Sequence, residues 1–178
     1  MDKTVPPGAA LLLDFIAGPE SHGSYTIIYG NHQGTLAKPI TSMTIGELLT
    51  AQSDWGHRWG SSAAGRYQIM QATLTGLVHS LGLGTSEAFS PGLQDRLGYQ
   101  LLKQRGYADF MTRKLPLGTF ALHLAQEWAS LPVIIPVKGA HRQLAIGDSY
   151  YRGDGMNAAL VSAAAFEAAL TKAHACAA

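Results

Sequence analysis

The most constraining feature of this sequence is a helical segment that is apolar on nearly every side. It covers residues 8–18, follows Pro6 and Pro7, and precedes Pro19, which disfavours its continuation. A helix without a polar face has to be buried, so the rest of the chain must surround it. With 178 residues, 47% of them hydrophobic and 14% charged, the chain is long and apolar enough to do so. We therefore expect residues 1–178 to form a single domain.

The remaining sequence predicts further helices and little β-structure. A single strand-like run, rich in β-branched and aromatic residues, covers residues 25–29. Apolar spacing and cap residues (Thr44, Ser90, Thr119 and Asn157) predict helices over residues 45–53, 71–81, 91–105, 119–130 and from 158 onwards. Residues 54–64 and 133–156 have the composition of loops. The expected fold class is α+β, predominantly α, with one small β element.

Charge and hydropathy argue against two classes of protein. The formal net charge is +1 and the isoelectric point about 7.9, without the clustered basic residues of a nucleic-acid-binding surface. No run reaches the roughly 18 apolar residues of a transmembrane helix, so we expect no integral membrane segment. Asp2 and Asp14 interrupt the pattern of a signal peptide, and we therefore expect the chain to be cytoplasmic as made.

The sequence shows no pattern typical of a disulfide, metal or cofactor site. The single cysteine, Cys176, cannot form an internal disulfide and lies too near the terminus to be a well-ordered nucleophile. The seven histidines are scattered without a recognised ligand spacing, and no glycine-rich phosphate loop is present. We therefore expect neither a metal nor a cofactor.

Glu20 is the best candidate for a catalytic residue. It lies in Gly18-Pro19-Glu20-Ser21-His22-Gly23, directly after the apolar helix. Burial disfavours the charged form of a carboxyl group, and the negative end of the helix dipole disfavours it further, by about 0.3–1 kcal/mol. A carboxyl group that keeps its proton can act as a general acid in glycosidic bond cleavage. The alternative is a carboxylate that merely ends a helix in solvent.

Four segments between residues 15 and 132 together resemble one enzyme family. Besides the Glu20 segment they are Tyr25-Thr26-Ile27-Ile28-Tyr29-Gly30, Ser61-Ser62-Ala63-Ala64-Gly65-Arg66-Tyr67-Gln68 and Trp128-Ala129-Ser130-Leu131-Pro132. In this order they are similar to segments of the phage lambda-type endolysins, which are peptidoglycan lytic transglycosylases. The sequence departs from that family at Pro19, at Ala63 and in residues 133–137, and the resemblance is thin beyond Pro132.

The resemblance implies a lysozyme-like fold, with residues 1–178 as one catalytic domain and a small β element beside the cleft. It implies peptidoglycan glycan strands as the substrate and Glu20 as the general acid/base. A monomer made in the bacterial cytoplasm would act on peptidoglycan in the periplasm or cell wall, with a holin for export. The expected substrate-binding residues are Ser62, Tyr67, Gln68, Tyr25 and Tyr150.

The Gly65-Arg66-Tyr67-Gln68 segment also has a structural interpretation. Gly65 would permit a tight turn, the Tyr67 ring could stack on a sugar, and the Gln68 amide could bind an N-acetyl or hydroxyl group. The same pattern is compatible with a turn followed by a strand in which Tyr67 is a core residue.

The reaction class depends on whether a second carboxylate assists Glu20. Hydrolases normally use two carboxylates, and Asp54 is the best-placed candidate, in the predicted loop before Gly65. Asp148 and Asp154 are also available, whereas Asp95 and Glu127 fall within helices and are more typical of solvated or structural residues. A lytic transglycosylase needs only one acid, because the C6 hydroxyl of muramic acid attacks in place of water.

We therefore expect cleavage of the MurNAc-β-1,4-GlcNAc bond with formation of 1,6-anhydro-MurNAc ends. The alternative within the same fold is a hydrolytic muramidase. Outside enzymes, a non-catalytic cell-wall-binding or virion structural protein is compatible with the same residues. A secreted antibacterial effector is compatible as well.

Overall fold

The computed structural model describes residues 1–176 and confirms a predominantly helical α+β protein. The described residues form seven α-helices, two 3-10 helices and one small antiparallel sheet. The helices are α1 (Pro7–Ser21), α2 (Ile45–Trp59), α3 (Gln71–Leu81), α4 (Pro91–Gln104), α5 (Tyr107–Met111), α6 (Leu117–Glu127) and α7 (Ala163–Ala175). The 3-10 helices are Tyr29–Thr35 and Ile40–Ser42, and strands β1 (Val137–Lys138) and β2 (Gln143–Leu144) form the sheet.

Helix α1 is buried as its composition predicts, but it ends later than predicted. Leu12, Leu13 and Ile16 have almost no exposed surface. The helix continues through Pro19 to Ser21, because a proline in the last turn removes only one hydrogen bond from the helical ladder. His22 and Gly23 then adopt left-handed backbone conformations, with φ of 51° and 79°, and end the helix.

The chain divides into two compact units. The first consists of Met1–Thr4 and Glu20–Gly98, and the second of Val5–Pro19 and the residues from Tyr99 onward. In the first unit, α2 packs against α3. Its core contains Ile28, Ile40, Ile45, Leu48, Trp55, Tyr67, Ile69, Leu74 and Phe89.

The second unit has an aromatic core built around α6. Phe110 of α5 stacks on Phe120 of α6 with ring centroids 4.4 Å apart, and Phe15 of α1 stacks on Phe166 of α7 at 5.9 Å. The small sheet also belongs to this unit, where Val137 pairs with Leu144. Residues 133–156, predicted as a loop, therefore contain a β-hairpin.

Several predicted boundaries are wrong in ways that change the site. The run 25–29 is not a strand: Ile28 forms one isolated bridge with Ala64, and a 3-10 helix begins at Tyr29. The sheet of this protein lies elsewhere, at residues 137–144. Helix α2 extends to Trp59 rather than Ser53, so residues 54–59 are helical and not a loop.

The cap predictions had mixed outcomes. Thr44 and Glu47 form the predicted capping box, with each side chain accepting a hydrogen bond from the other residue's backbone N–H. Thr119 does not cap α6, which begins after Pro116 and ends at Glu127. Asn157 does not cap α7 either, because Ser162 accepts the hydrogen bond from the Ala165 N–H.

Candidate functional site

At the end of α1, Glu20 precedes a serine that is hydrogen-bonded to a distant segment of the chain. Glu20 is half-buried, and Ser21, which follows it, is almost fully buried. The Ser21 hydroxyl donates a hydrogen bond of 2.8 Å to the carbonyl oxygen of Arg66. This bond joins the end of α1 to the segment of residues 62–69, so that Arg66 contacts the residue directly after Glu20.

Residues 62–69 form a tight turn held from two sides. The backbone N–H groups of Ala64 and Ile69 each donate to the carbonyl of the other residue, at 3.2 and 2.9 Å. The buried Gln52 side chain of α2 donates from Nε2 to the carbonyl oxygens of Ser62 and Ile69, at 2.7 and 2.8 Å. The turn is thereby fixed at both of its ends.

The turn itself depends on two residues in left-handed conformations. Gly65 has φ of 76° and its N–H donates to the Ile27 carbonyl at 2.8 Å. A side chain at this position would collide with the amide oxygen of Gln94. Gln68 has φ of 47°, and its Nε2 donates back to the Gly65 carbonyl at 2.8 Å. The predicted role of Gly65 in a tight turn is confirmed.

A buried carboxylate of α4 anchors two tyrosines of this unit. Asp95 is 1% exposed, and it accepts hydrogen bonds from the hydroxyls of Tyr25 at 2.9 Å and Tyr67 at 2.7 Å. Burial, and then the hydrogen bond to Asp95, raise the pKa of Tyr25 to about 12. The same two causes raise the pKa of Tyr67 well above its ordinary value. Both phenols are therefore neutral donors at neutral pH.

Arg66 adds a positive charge beside both of these tyrosines, at 5.9 Å from the Tyr67 ring centroid and closer to Tyr25. Its guanidinium carbon lies 4.8 Å from the centroid of the Tyr25 ring, which is within the range of a cation–π interaction. Its Nη1 donates to the Gly23 carbonyl, just after α1, at 3.3 Å. Backbone and side chain of Arg66 thus both contact the segment that follows Glu20.

The predicted substrate-binding residues of this unit fall into two groups. Tyr25 and Gln68 are half-buried and retain exposed surface. Tyr67 is 1% exposed, so its ring is a core residue and offers no open face to a sugar. Ser62 is 8% exposed, and its hydroxyl accepts a hydrogen bond from the N–H of Gln71 in the first turn of α3. Tyr67 and Ser62 therefore support the turn from inside, in contrast to the predicted direct contacts.

The two remaining site candidates, Asp54 and Tyr150, each have a local partner. Asp54 is exposed on α2, not in a loop, and its carboxylate lies 3.0 Å from the guanidinium of Arg58 one turn later. Tyr150 belongs to the second unit, where its ring packs edge-on against Tyr151 with centroids 5.2 Å apart.

The remaining candidate carboxylates hold local structure in the second unit. Glu127 accepts a 2.8 Å hydrogen bond from Nε of Arg105. Asp148 accepts from the Ala145 N–H and pairs with Arg152, and these contacts lower its pKa. Two backbone N–H groups and the Asn157 side chain lower the pKa of Asp154 to about 2. A carboxylate of such low basicity is a poor general base.

The sequence interpretation treated Asp95 as a solvated or structural residue, and the structure confirms the structural role. It missed that Asp95 and the adjacent Gln94 contact the candidate site itself. A polar pair at two consecutive helical positions, preceding the apolar Leu97 and Leu101, was the available signal. Nothing in the local pattern identifies its partners, which lie 28 and 70 residues away along the chain.

Two further features are absent from the described residues. No group of three or more histidine, cysteine, aspartate or glutamate side chains within residues 1–176 is arranged to hold a metal ion. In the same part of the chain, no helix is both long and apolar enough to cross a membrane.

Comparison with known proteins identifies one family. Residues 48–155 match the family model described as endolysin. No curated protein and no solved structure matches the chain. The matched range contains the turn at Gly65 and Asp95, and it begins after Glu20 and Tyr25.

Proposed function

Because the chain belongs to the endolysin family of phage cell-wall-degrading enzymes, we propose that it cleaves the MurNAc-β-1,4-GlcNAc bond of peptidoglycan with Glu20 as general acid/base. The observation that carries this proposal is the Ser21–Arg66 hydrogen bond beside Glu20. It fixes the residue after Glu20 to a turn whose Gln68 side chain is half-buried, and Glu20 itself is half-buried. A general acid has to be held in a defined place beside its substrate, and this bond supports that role for Glu20.

The proposed reaction uses one carboxyl group twice. Glu20 donates its proton to the glycosidic oxygen as the bond to C1 of muramic acid breaks. The resulting carboxylate then takes the proton of the C6 hydroxyl on the same sugar, whose oxygen bonds to C1. The products are a free GlcNAc hydroxyl and a 1,6-anhydro-MurNAc end, and Glu20 is protonated again.

The roles of the other carboxylates favour this reaction over hydrolysis. Asp95 is too buried to reach a substrate, and Asp54 is paired with Arg58 on an exposed helical surface. Asp154 has too low a pKa to activate water efficiently. A hydrolase would need a second carboxylate at a defined distance from the acid, whereas a transglycosylase does not.

We also propose which side chains contact the glycan. Gln68 and Tyr25 have exposed surface beside the fixed turn, and we assign them to the sugar-binding groove. Tyr150 is half-buried in the second unit and remains a candidate contact from the sequence. We assign Tyr67 and Ser62 to positioning the turn, because both are buried and hydrogen-bonded.

Delivery to the wall is part of the same proposal. We expect a monomer made in the host cytoplasm, and the resemblance to lambda-type endolysins implies its export by a separate holin. Lysis of bacteria expressing the protein is then expected only when a holin is co-expressed. Equal lysis without the holin would contradict this route.

Product analysis tests the reaction class. Purified sacculi are digested, and the released muropeptides are analysed by mass spectrometry. We expect 1,6-anhydro-muramic ends, which are lighter by one water than the reducing ends that a hydrolase leaves. Reducing ends as the main product would identify a muramidase, and the absence of any cleavage would contradict an enzymatic role.

Substitution of Glu20 tests the catalytic assignment. Glu20→Gln keeps the shape of the side chain and removes its transferable proton, so we expect at least about a 100-fold lower lytic rate in a folded protein. Asp54→Asn is the matched control and is expected to keep its rate. If Asp54→Asn loses activity as well, a water-activating base and a hydrolytic mechanism would follow.

A further inference from the structure

Asp95 joins two segments of the first unit that are distant in sequence. Its carboxylate accepts hydrogen bonds from Tyr25 in the segment after α1 and from Tyr67 in the turn. The backbone N–H of Asp2 donates to it as well, at 2.7 Å. A carboxylate with 1% exposure is costly to bury, and these donors offset that cost.

Gln94, the preceding residue, holds the backbone of the same two segments. Its Oε1 accepts a 2.9 Å hydrogen bond from the N–H of Arg66, and its Nε2 donates to the Tyr25 carbonyl at 3.0 Å. Two consecutive residues of α4 therefore fix the two segments, Gln94 through their backbones and Asp95 through their side chains.

The hydrogen bonds of Gln94 and Asp95 are connected, through Arg66, to the residue that follows Glu20. Gln94 and Asp95 fix Arg66 and Tyr67, and the Arg66 carbonyl accepts the hydrogen bond of Ser21. We propose that Asp95 is a positioning residue for the reaction, which keeps the turn in the conformation that meets Glu20. This inference rests on the proposed role of Glu20.

The substitution Asp95→Asn, which removes the charge, tests whether Asp95 positions the turn. It keeps the size of the side chain but replaces one acceptor oxygen with an NH₂ donor, which faces groups that are themselves donors. At least one hydroxyl or backbone N–H then loses its acceptor in a buried site, and the turn loses part of its fixation. Tyr67→Phe removes one of the same hydrogen bonds from the other side.

Kinetics distinguish positioning from a purely structural role. Initial rates of sacculus digestion are measured against substrate concentration, for variants whose folding is confirmed by circular dichroism. For Asp95→Asn we expect kcat to fall at least about tenfold with KM within about threefold, because misplacement of catalytic groups acts on kcat. The control Asp109→Asn changes an exposed aspartate of α5 and is expected to keep both constants.

A double-mutant cycle tests whether Asp95 acts through Tyr67. We expect Asp95→Asn/Tyr67→Phe to be no slower than Asp95→Asn alone, because both substitutions remove the same interaction. Independent, multiplying losses would overturn the proposal, as would a folded Asp95→Asn protein with wild-type kcat. If Asp95→Asn does not fold, Tyr67→Phe replaces it, and wild-type kcat in that variant would overturn the proposal.

The two proposals fail in different ways. Activity retained by Glu20→Gln would refute the assignment of the acid, whatever the Asp95 variants do. Loss of activity in Glu20→Gln together with unchanged kcat in Asp95→Asn would refute only the positioning role.

Discussion

Ser21 and Arg66 are joined by a hydrogen bond of 2.8 Å from the side-chain hydroxyl of one to the main-chain carbonyl of the other. They are 45 residues apart in the sequence, and they directly adjoin Glu20 and Tyr67. The bond therefore connects the end of the apolar helix to the turn that the rest of the unit fixes.

We predict that Ser21→Ala lowers both activity and stability. The Arg66 carbonyl would lose its side-chain donor in a partly buried site, which costs about 1–3 kcal/mol. Chemical denaturation and the rate of sacculus digestion measure the two effects. Ser53→Ala, on α2, is the control and should be close to wild type in both. A Ser21→Ala protein with full activity would show that the Ser21–Arg66 hydrogen bond is not needed for catalysis.

We predict that Gly65→Ala destabilises the protein. The residue has φ of 76°, and an added Cβ would collide with the amide oxygen of Gln94. The expected loss exceeds about 1 kcal/mol, since both the backbone and the neighbour are strained. Gly76→Ala is a matched control: this glycine lies within α3 and faces open space, so alanine should stabilise by up to about 1 kcal/mol. Equal effects of the two substitutions would contradict this interpretation of the turn.

We predict that Gln68→Ala weakens substrate use more than stability. Gln68 has a left-handed backbone and a half-buried side chain beside the turn. Gln68→Gly should be the more stable of the two variants, because glycine adopts φ of 47° without strain, yet both should show lower kcat/KM. Activity equal to wild type in both variants would remove Gln68 from the proposed groove.

We predict a loss of stability above about pH 10 that depends on the buried tyrosines. The pKa of Tyr67 and that of Tyr25 are raised in the folded state, so the folded protein keeps protons that the unfolded chain loses. The free energy of unfolding therefore falls as pH rises, by at most about 1.4 kcal/mol per pH unit for each tyrosine.

Urea unfolding between pH 9 and 12 measures this slope. Tyr67→Phe removes one of the tyrosines with a raised pKa, and the slope should become shallower. Tyr29→Phe, which changes an exposed tyrosine, should keep the wild-type slope. The prediction fails if Tyr67→Phe is as sensitive to alkaline pH as the wild type.

Local sequence patterns were sufficient for most of the helices. The apolar run of α1, the capping box at Thr44 and the apolar spacing of α3 each depend on residues within about four positions of one another. Such patterns predicted a mainly helical chain. Separately, the four segments that resemble lambda-type endolysins agreed with the match to the endolysin family model. The boundaries at Pro19 and Ser53 were wrong, because local signals do not report how packing extends a helix.

The turn at Gly65 shows what the sequence determined and what it could not. A glycine before Arg66 was enough to predict a tight turn, because few other residues tolerate that backbone. The sequence interpretation assigned Tyr67 to sugar binding and kept a core position as the alternative. In the tertiary structure the Tyr67 ring is 1% exposed, and its hydroxyl donates to a carboxylate 28 residues away on α4. Hydrogen bonds between such distant residues follow from the three-dimensional arrangement, for which neither residue carries a local signal.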